Sequence, residues 1–336
     1  MMVQAAIYGC EGLTLTDAEK RFFAAADPWG FILFARNIDT PAQVSALCSD
    51  LRMTVGRDAP ILVDQEGGRV ARFRPPHWRA YPPARRYGEL FAKDKAAGLE
   101  ACRLGAFLIG AELRDMGLDV DCIPLADVPV PGAHDVIGDR AYGEEPDVVT
   151  ALARAAATGV EDAGVLPVLK HIPGHGRAGV DSHEELPVVD APLDELRATD
   201  FKPFMSLADL PLGMTAHVVY AAIDGERPAT TSPDAIRLIR DELGFDGLLM
   251  TDDLSMKALG GSMEGRVRES IDAGCDLVLH CNGHMDEMEA VAGVTSALSA
   301  AAGLRSESAL SRRKTPSDES IQAVLERWVE LVGASA

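Results

Sequence analysis

The sequence predicts a single-domain α/β protein, a (β/α)8 barrel of the TIM type, on three observations. Short apolar runs rich in Val, Ile, Leu and Phe recur along the 336 residues, eight in all. Stretches with the 3.6-residue periodicity of amphipathic helices separate them. Charged and imidazole groups stand just after most of these runs, the end of a parallel barrel where functional loops gather. A doubly wound open sheet is the alternative. It is weakened because no Gly-x-Gly-x-x-Gly opens a helix.

The strands are expected near Val3–Tyr8, Gly30–Phe34, Ile61–Val63, Val120–Pro124, Leu166–Leu169, Leu212–Thr215, Gly247–Met250 and Asp276–Leu279. Between them, Thr40-Pro41 and Ser232-Pro233 each read as a helix N-cap followed by proline in the first turn. A long helix is expected over Lys95–Met116, stopped by Gly117. Further helices are expected at about Asp147–Ala163, Leu193–Leu207, Gly265–Ala273 and Met285–Leu298. The polar stretch 303–317 reads as loose, and a last helix near 320–331 as packed back on the body. The whole chain, 1–336, is then one barrel domain.

Composition narrows the function. Apolar residues make up 47% and charged residues 25%, the balance of a folded globular chain rather than a disordered one. Lys plus Arg is 32 against 52 for Asp plus Glu, a net charge of -20, which disfavours binding to nucleic-acid backbones. No apolar run nears the roughly 20 residues that span a bilayer. The start, Met1-Met2-Val3-Gln4, has no basic segment leading into a long apolar stretch, so no secretory leader is expected. Six scattered cysteines without a Cys-x-x-Cys pair read as buried reduced thiols, and hence a cytoplasmic location.

Four segments carry candidate chemistry. Lys170-His171-Ile172-Pro173-Gly174-His175-Gly176 leaves the fifth strand and continues to Asp181-Ser182-His183. Asp181 and His183 are two apart, so a turn can set the carboxylate against the imidazole and tune it for proton transfer. At this segment catalytic, metal-binding and structural readings all stay open, although the spacing is not that of a helical zinc motif. Thr251-Asp252-Asp253 ends the seventh strand. Adjacent strand residues face opposite ways, so one carboxylate should aim at the barrel mouth, and Asp253 could instead cap the next helix. Asp64-Gln65-Glu66-Gly67-Gly68-Arg69-Val70-Ala71-Arg72 suits either hydroxyl recognition or a salt-bridged surface loop, and Gly138-Asp139-Arg140 offers one more arginine; singly, neither is specific. Asp127, His217 and His280 also follow strands.

Together and in this order, these segments resemble glycoside hydrolase family 3, most closely its short, single-domain bacterial β-N-acetylhexosaminidases. The resemblance covers about residues 7–282. Ile172 stands where the family often has Phe, and Ala141-Tyr142 where it often has Ser-Phe. The resemblance implies a retaining enzyme that removes a terminal N-acetylglucosamine from peptidoglycan fragments. Asp252 is then the nucleophile, and His183 the acid/base assisted by Asp181. Asp64, Arg72, Arg140, Lys170 and His171 would grip the sugar. It implies no metal or organic cofactor, a small sugar substrate, and neither nucleic-acid nor membrane partners. A monomer is expected. A phosphorylase on the same fold, a non-catalytic sugar-binding barrel and a metal hydrolase using His171, His175 and Asp252 are the alternatives.

Overall fold

A computed structural model describes residues 3–182 and 185–333. Eight parallel strands close into a barrel. They are β1 (Gln4–Gly9), β2 (Pro28–Leu33), β3 (Ile61–Val63), β4 (Val120–Asp121), β5 (Leu166–Ile172), β6 (Leu212–Thr215), β7 (Leu248–Asp253) and β8 (Leu277–His280). Each pairs with its neighbours in sequence order, and β1 closes on β8 in the register Ala6 to Val278. The barrel expectation is met, and the open-sheet alternative is excluded.

Alternation of side chains builds two cores. Ile7, Ile32, Leu62, Val120, Val168, Leu248 and Leu277 belong to a buried cluster within the ring of strands. Their outward neighbours, among them Phe31, Val63, Leu169 and Leu249, join the larger layer between strands and helices. Two helices of that layer, Lys95–Asp115 and Pro146–Asp162, approach closely. A Cβ added at Gly159 would sit 2.1 Å from the Arg103 carbonyl oxygen. All six cysteines are buried free thiols.

The helix starts follow the sequence signals. The Thr40 hydroxyl accepts from Gln43 N–H at 3.3 Å, and the Ser232 hydroxyl from Ala235 N–H at 3.2 Å. Several bounds differ. The single helix expected over Leu193–Leu207 is two, Leu193–Ala198 and Lys202–Ser206, the second with Pro203 in its first turn. The Met285 helix stops at Val294, where the chain turns to bond β1, the Ser296 carbonyl accepting from Ala5 N–H at 3.0 Å. The segment 303–317 is not wholly loose, because Ala300–Ser311 is a helix capped by Ser299. The C-terminal helix runs Ile321–Val332. A small sheet of Val188–Val189, Val219–Tyr220 and Asp224–Pro228, which had no sequence signal, flanks the barrel beyond β5 and β6.

Candidate active site

The C-terminal ends of the strands surround a cleft of about 450 Å³. It is lined by Asp64, Arg72, Arg140, Lys170, His171 and Asp252, together with Phe34, Arg36, His175, Ser182 and Asp253. Six of the eight sequence-predicted site residues therefore meet at one cleft. Asp181 lines an adjoining depression with Arg69, His134 and Arg140. His183, the expected acid/base, lies outside the described residues.

The loop after β3 is built around Gln65. Its side-chain Oε1 accepts from the backbone N–H groups of Arg72 (2.8 Å) and Phe73 (3.1 Å), and its Nε2 donates to the Phe73 carbonyl at 3.0 Å. With Gln65 turned into its own loop, Asp64 lines the cleft and the side chain of Glu66 is buried beside Arg140 and Lys170. Lys170, at the end of β5, reaches both carboxylates, at 2.8 Å to Asp64 and 2.7 Å to Glu66. Arg72 Nη2 donates to Asp64 at 3.1 Å, and Arg140 grips Glu66 through two bonds of 2.9 and 2.8 Å. The result alternates charge around the floor of the site: Arg72, Asp64, Lys170, Glu66, Arg140.

Electrostatics within this chain is mutual. Burial alone would raise the Asp64 carboxyl, but the Lys170 and Arg72 charges outweigh it and hold the group well below the usual carboxylate range. Burial likewise opposes ionisation of Glu66, yet Arg140 and Lys170 bring it down to about 2. Lys170, which burial would deprotonate, is instead held above its ordinary value by the same two carboxylates. All three groups are thus charged at neutral pH and need no further partner to remain so. Sequence reasoning left Glu66 out of the site. Its signal was present two residues from Asp64, but nothing in the sequence showed that Gln65 points away between them.

Beyond β5 the chain runs against the loop after β4. A Cβ at Gly176 would lie 2.0 Å from the Val128 carbonyl oxygen, so close backbone contact is the reason for that glycine. His175 donates its backbone N–H to Asp127 at 2.6 Å, and its Nε2 is 3.0 Å from the Ser182 hydroxyl. Burial, reinforced by the neighbouring His171, pushes the His175 imidazole down to about 4, so it is neutral at ordinary pH.

Asp252 and Asp253 end β7, and both border the cleft. Asp253 does not cap the next helix, which begins at Met263 with Ser262 as its cap. Its carboxylate instead accepts from Ser255 N–H and Cys281 N–H, each at 3.1 Å, and from the Ser255 hydroxyl at 2.5 Å. These bonds tie the end of β7 to β8. The Asp253 carbonyl also lies 3.1 Å from Nε2 of His217, an imidazole that burial keeps neutral. Asp252 is thus carried by a doubly braced turn, and one of its own oxygens accepts from Asp253 N–H at 2.8 Å. Among the described residues, no group of three His, Cys, Asp or Glu stands in a metal-holding arrangement, so the metal reading of His171, His175 and Asp252 gains no support.

A parallel eightfold barrel with paired acidic and basic groups and a strand-terminal carboxylate at its mouth has the parts that carboxylate-based glycoside cleavage uses, although other chemistries share the fold. The sequence pattern of the Glycosyl hydrolase family 3 N terminal domain matches residues 14–311, and the chain belongs to that family. It is a glycoside hydrolase. Its relatives include a beta-hexosaminidase of Methylococcus capsulatus, 42% identical over 292 residues that cover 85% of this chain and 84% of that protein. Another, the beta-hexosaminidase of Xylella fastidiosa, is 37% identical over 98% of this chain and 99% of its own length. Among solved structures, NagZ from Neisseria gonorrhoeae in complex with N-trifluoroacetyl-D-glucosamine superposes with a TM-score of 0.89 at 29% identity. That match covers 100% of this chain and 99% of the other.

Proposed function

We propose that the protein is a retaining exo-β-N-acetylglucosaminidase. Its substrate is the disaccharide N-acetylglucosaminyl-1,6-anhydro-N-acetylmuramic acid, with or without peptide, and it works in cytoplasmic recycling of the cell wall. The observation that carries the reading is the convergence of Asp252 with Asp64, Arg72, Arg140, Lys170 and His171 on one cleft. The relatives' name, beta-hexosaminidase, supports a hexosaminide substrate, and the N-trifluoroacetyl-D-glucosamine in the gonococcal structure supports a glucosamine-type sugar.

In the first step an Asp252 carboxylate oxygen bonds to C1 of the bound sugar as the C1–O glycosidic bond breaks. The His183 imidazolium gives its proton to the leaving oxygen, and Asp181 stabilises that imidazolium beforehand. In the second step neutral His183 takes a proton from water, the water oxygen bonds to C1, and the Asp252 carboxylate leaves. Two displacements return the original anomeric configuration. Asp64, Arg72, Arg140, Lys170 and His171 hold the hydroxyls and the ring in place. No metal or organic cofactor enters either step, and the unit acts as a monomer.

The test pairs a variant with a trap. Asp252→Ala is expected to abolish turnover of an N-acetylglucosaminide while sugar binding persists in calorimetry. A 2-deoxy-2-fluoro-type or 5-fluoro sugar is expected to label Asp252, found by peptide mass mapping. Label on another residue, or near-native turnover by the variant, rejects the nucleophile.

A further inference from the structure

The loop after β4 delivers one carboxylate that the chemistry above does not use. Asp127 is fully buried, and both of its oxygens are engaged. Oδ2 lies 2.7 Å from His171 Nδ1. Oδ1 accepts from His175 N–H at 2.6 Å and from His171 N–H at 3.3 Å. Burial alone would raise this carboxyl, but His171, and after it His175, lower it, so Asp127 stays ionised.

An ionised carboxylate can only accept hydrogen bonds. The 2.7 Å contact therefore requires a proton on His171 Nδ1. In a neutral imidazole that leaves Nε2 with a lone pair and no hydrogen. His171 borders the cleft. Around it, Lys170, Arg72 and Arg140 are donors that cannot accept, and Asp64 and Glu66 already accept from them.

We propose that Asp127 is a positioning residue that fixes His171 as the Nδ1–H tautomer, so that Nε2 is a hydrogen-bond acceptor for a substrate hydroxyl. The same carboxylate anchors the start of the segment leading to Ser182, through the His175 N–H. One side chain thus sets both the polarity of a sugar contact and the departure point of the loop toward the acid/base. This inference rests on the reading of His171 as a sugar contact.

Asp127→Asn separates polarity from shape. The amide oxygen can keep the His175 N–H bond, while the amide NH2 now faces His171 Nδ1 and must donate to it. The imidazole is then driven to the Nε2–H tautomer, and an acceptor in the cleft becomes a donor.

The experiment is nitrogen-15 NMR of the histidine rings at pH 8, in the full-length wild type and in Asp127→Asn. The expected result is a protonated Nδ1 at His171 in the wild type and a protonated Nε2 in the variant. A loss of about tenfold to a hundredfold in kcat/KM is expected, carried mainly by KM, as for a buried hydrogen bond turned to the wrong polarity. In a His171→Ala background, Asp127→Asn should cost less than about threefold more, since its effect passes through that ring.

A wild-type His171 found as the Nε2–H tautomer overturns the proposal, and this measurement stands even if the variant does not fold. So does a folded Asp127→Asn protein whose kcat/KM stays within twofold of wild type, or one that costs the same with and without His171. If His171→Ala alone retains native kcat/KM, the sugar-contact reading fails. The NMR result then still decides the tautomer by itself.

Discussion

Removing the Lys170 charge is the sharpest probe of the alternating ion chain. Lys170→Met keeps the length of the side chain and deletes the ammonium. Two carboxylates lose a partner at once, because Nζ lies 2.8 Å from Asp64 and 2.7 Å from Glu66 and the side chain is only 2% exposed. Taking one member from a buried pair costs about 3–5 kcal/mol, since the other charge stays behind without its solvent. Arg72 and Arg140 still hold one carboxylate each, which favours the lower part of that range. With an unfolding entropy of about 2.1 cal/mol/K per residue over 336 residues, the penalty lowers Tm by about 4–7 °C. The pH dependence has a definite sign. In the wild type both folded-state carboxyls are depressed, so their stabilisation is complete above the unfolded values near pH 4 and is lost as pH falls through the folded ones. In the variant that depression shrinks or reverses, and one carboxyl can take up a proton to relieve repulsion. The gap in Tm between the two proteins should therefore narrow from pH 7 to pH 4.5. Thermal unfolding followed by circular dichroism at the two pH values reads this directly. A shift below about 1 °C at pH 7, or a gap that widens on acidification, refutes the ion-chain account.

Three further outcomes are expected. Gly88→Ala places a Cβ 1.7 Å from the Tyr142 carbonyl oxygen. Overpacking of about 1–3 kcal/mol should exceed the helix-propensity gain of up to about 1 kcal/mol, and a rise in Tm would contradict the packing. Activity should survive dialysis against EDTA followed by assay in chelator; a loss restored by added zinc would revive a metal mechanism. His183→Ala should slow a natural disaccharide far more than an activated aryl glycoside, because a good leaving group needs less protonation. Equal slowing of both would remove His183 from the acid/base role.

Much of this was legible because buried charge is expensive. A run such as Leu166–Leu169 followed at once by Lys170-His171 makes sense only if the polar pair opens into a shared cavity, and the cleft confirms it. Periodicity also revealed the long helix that ends just before Gly117, whose φ of +91° suits glycine. Other features had no such signal. The helix Ala300–Ser311 buries Ala302, Ser306 and Ala309, a face too small and polar to read as apolar. Ser306 is held there by a 2.7 Å bond from Trp29 Nε1, which is 277 positions away. β4 is only two residues long, and Pro124, which lacks an N–H, lies beyond it rather than within it. In the site, residue types named the candidates, but pairing partners such as Glu66 for Arg140 and Asp127 for His171 depend on distances across the barrel that no local pattern encodes.

The last helix, Ile321–Val332, has a reach that its place at the periphery conceals. Its Trp328 ring packs at a tilt on Tyr81, with ring centroids 5.6 Å apart, and the Tyr81 carbonyl in turn accepts from Gly68 N–H at 2.8 Å. Gly67 is pressed just as tightly, with room for no Cβ before the Pro82 carbonyl oxygen at 2.5 Å. The loop that carries Asp64, Glu66 and Arg72 is thus buttressed from behind by a segment lying past residue 311, where the match to the family's sequence pattern ends. Trimming the chain to that boundary would leave every residue of the loop in place on paper while taking away the wall it leans on.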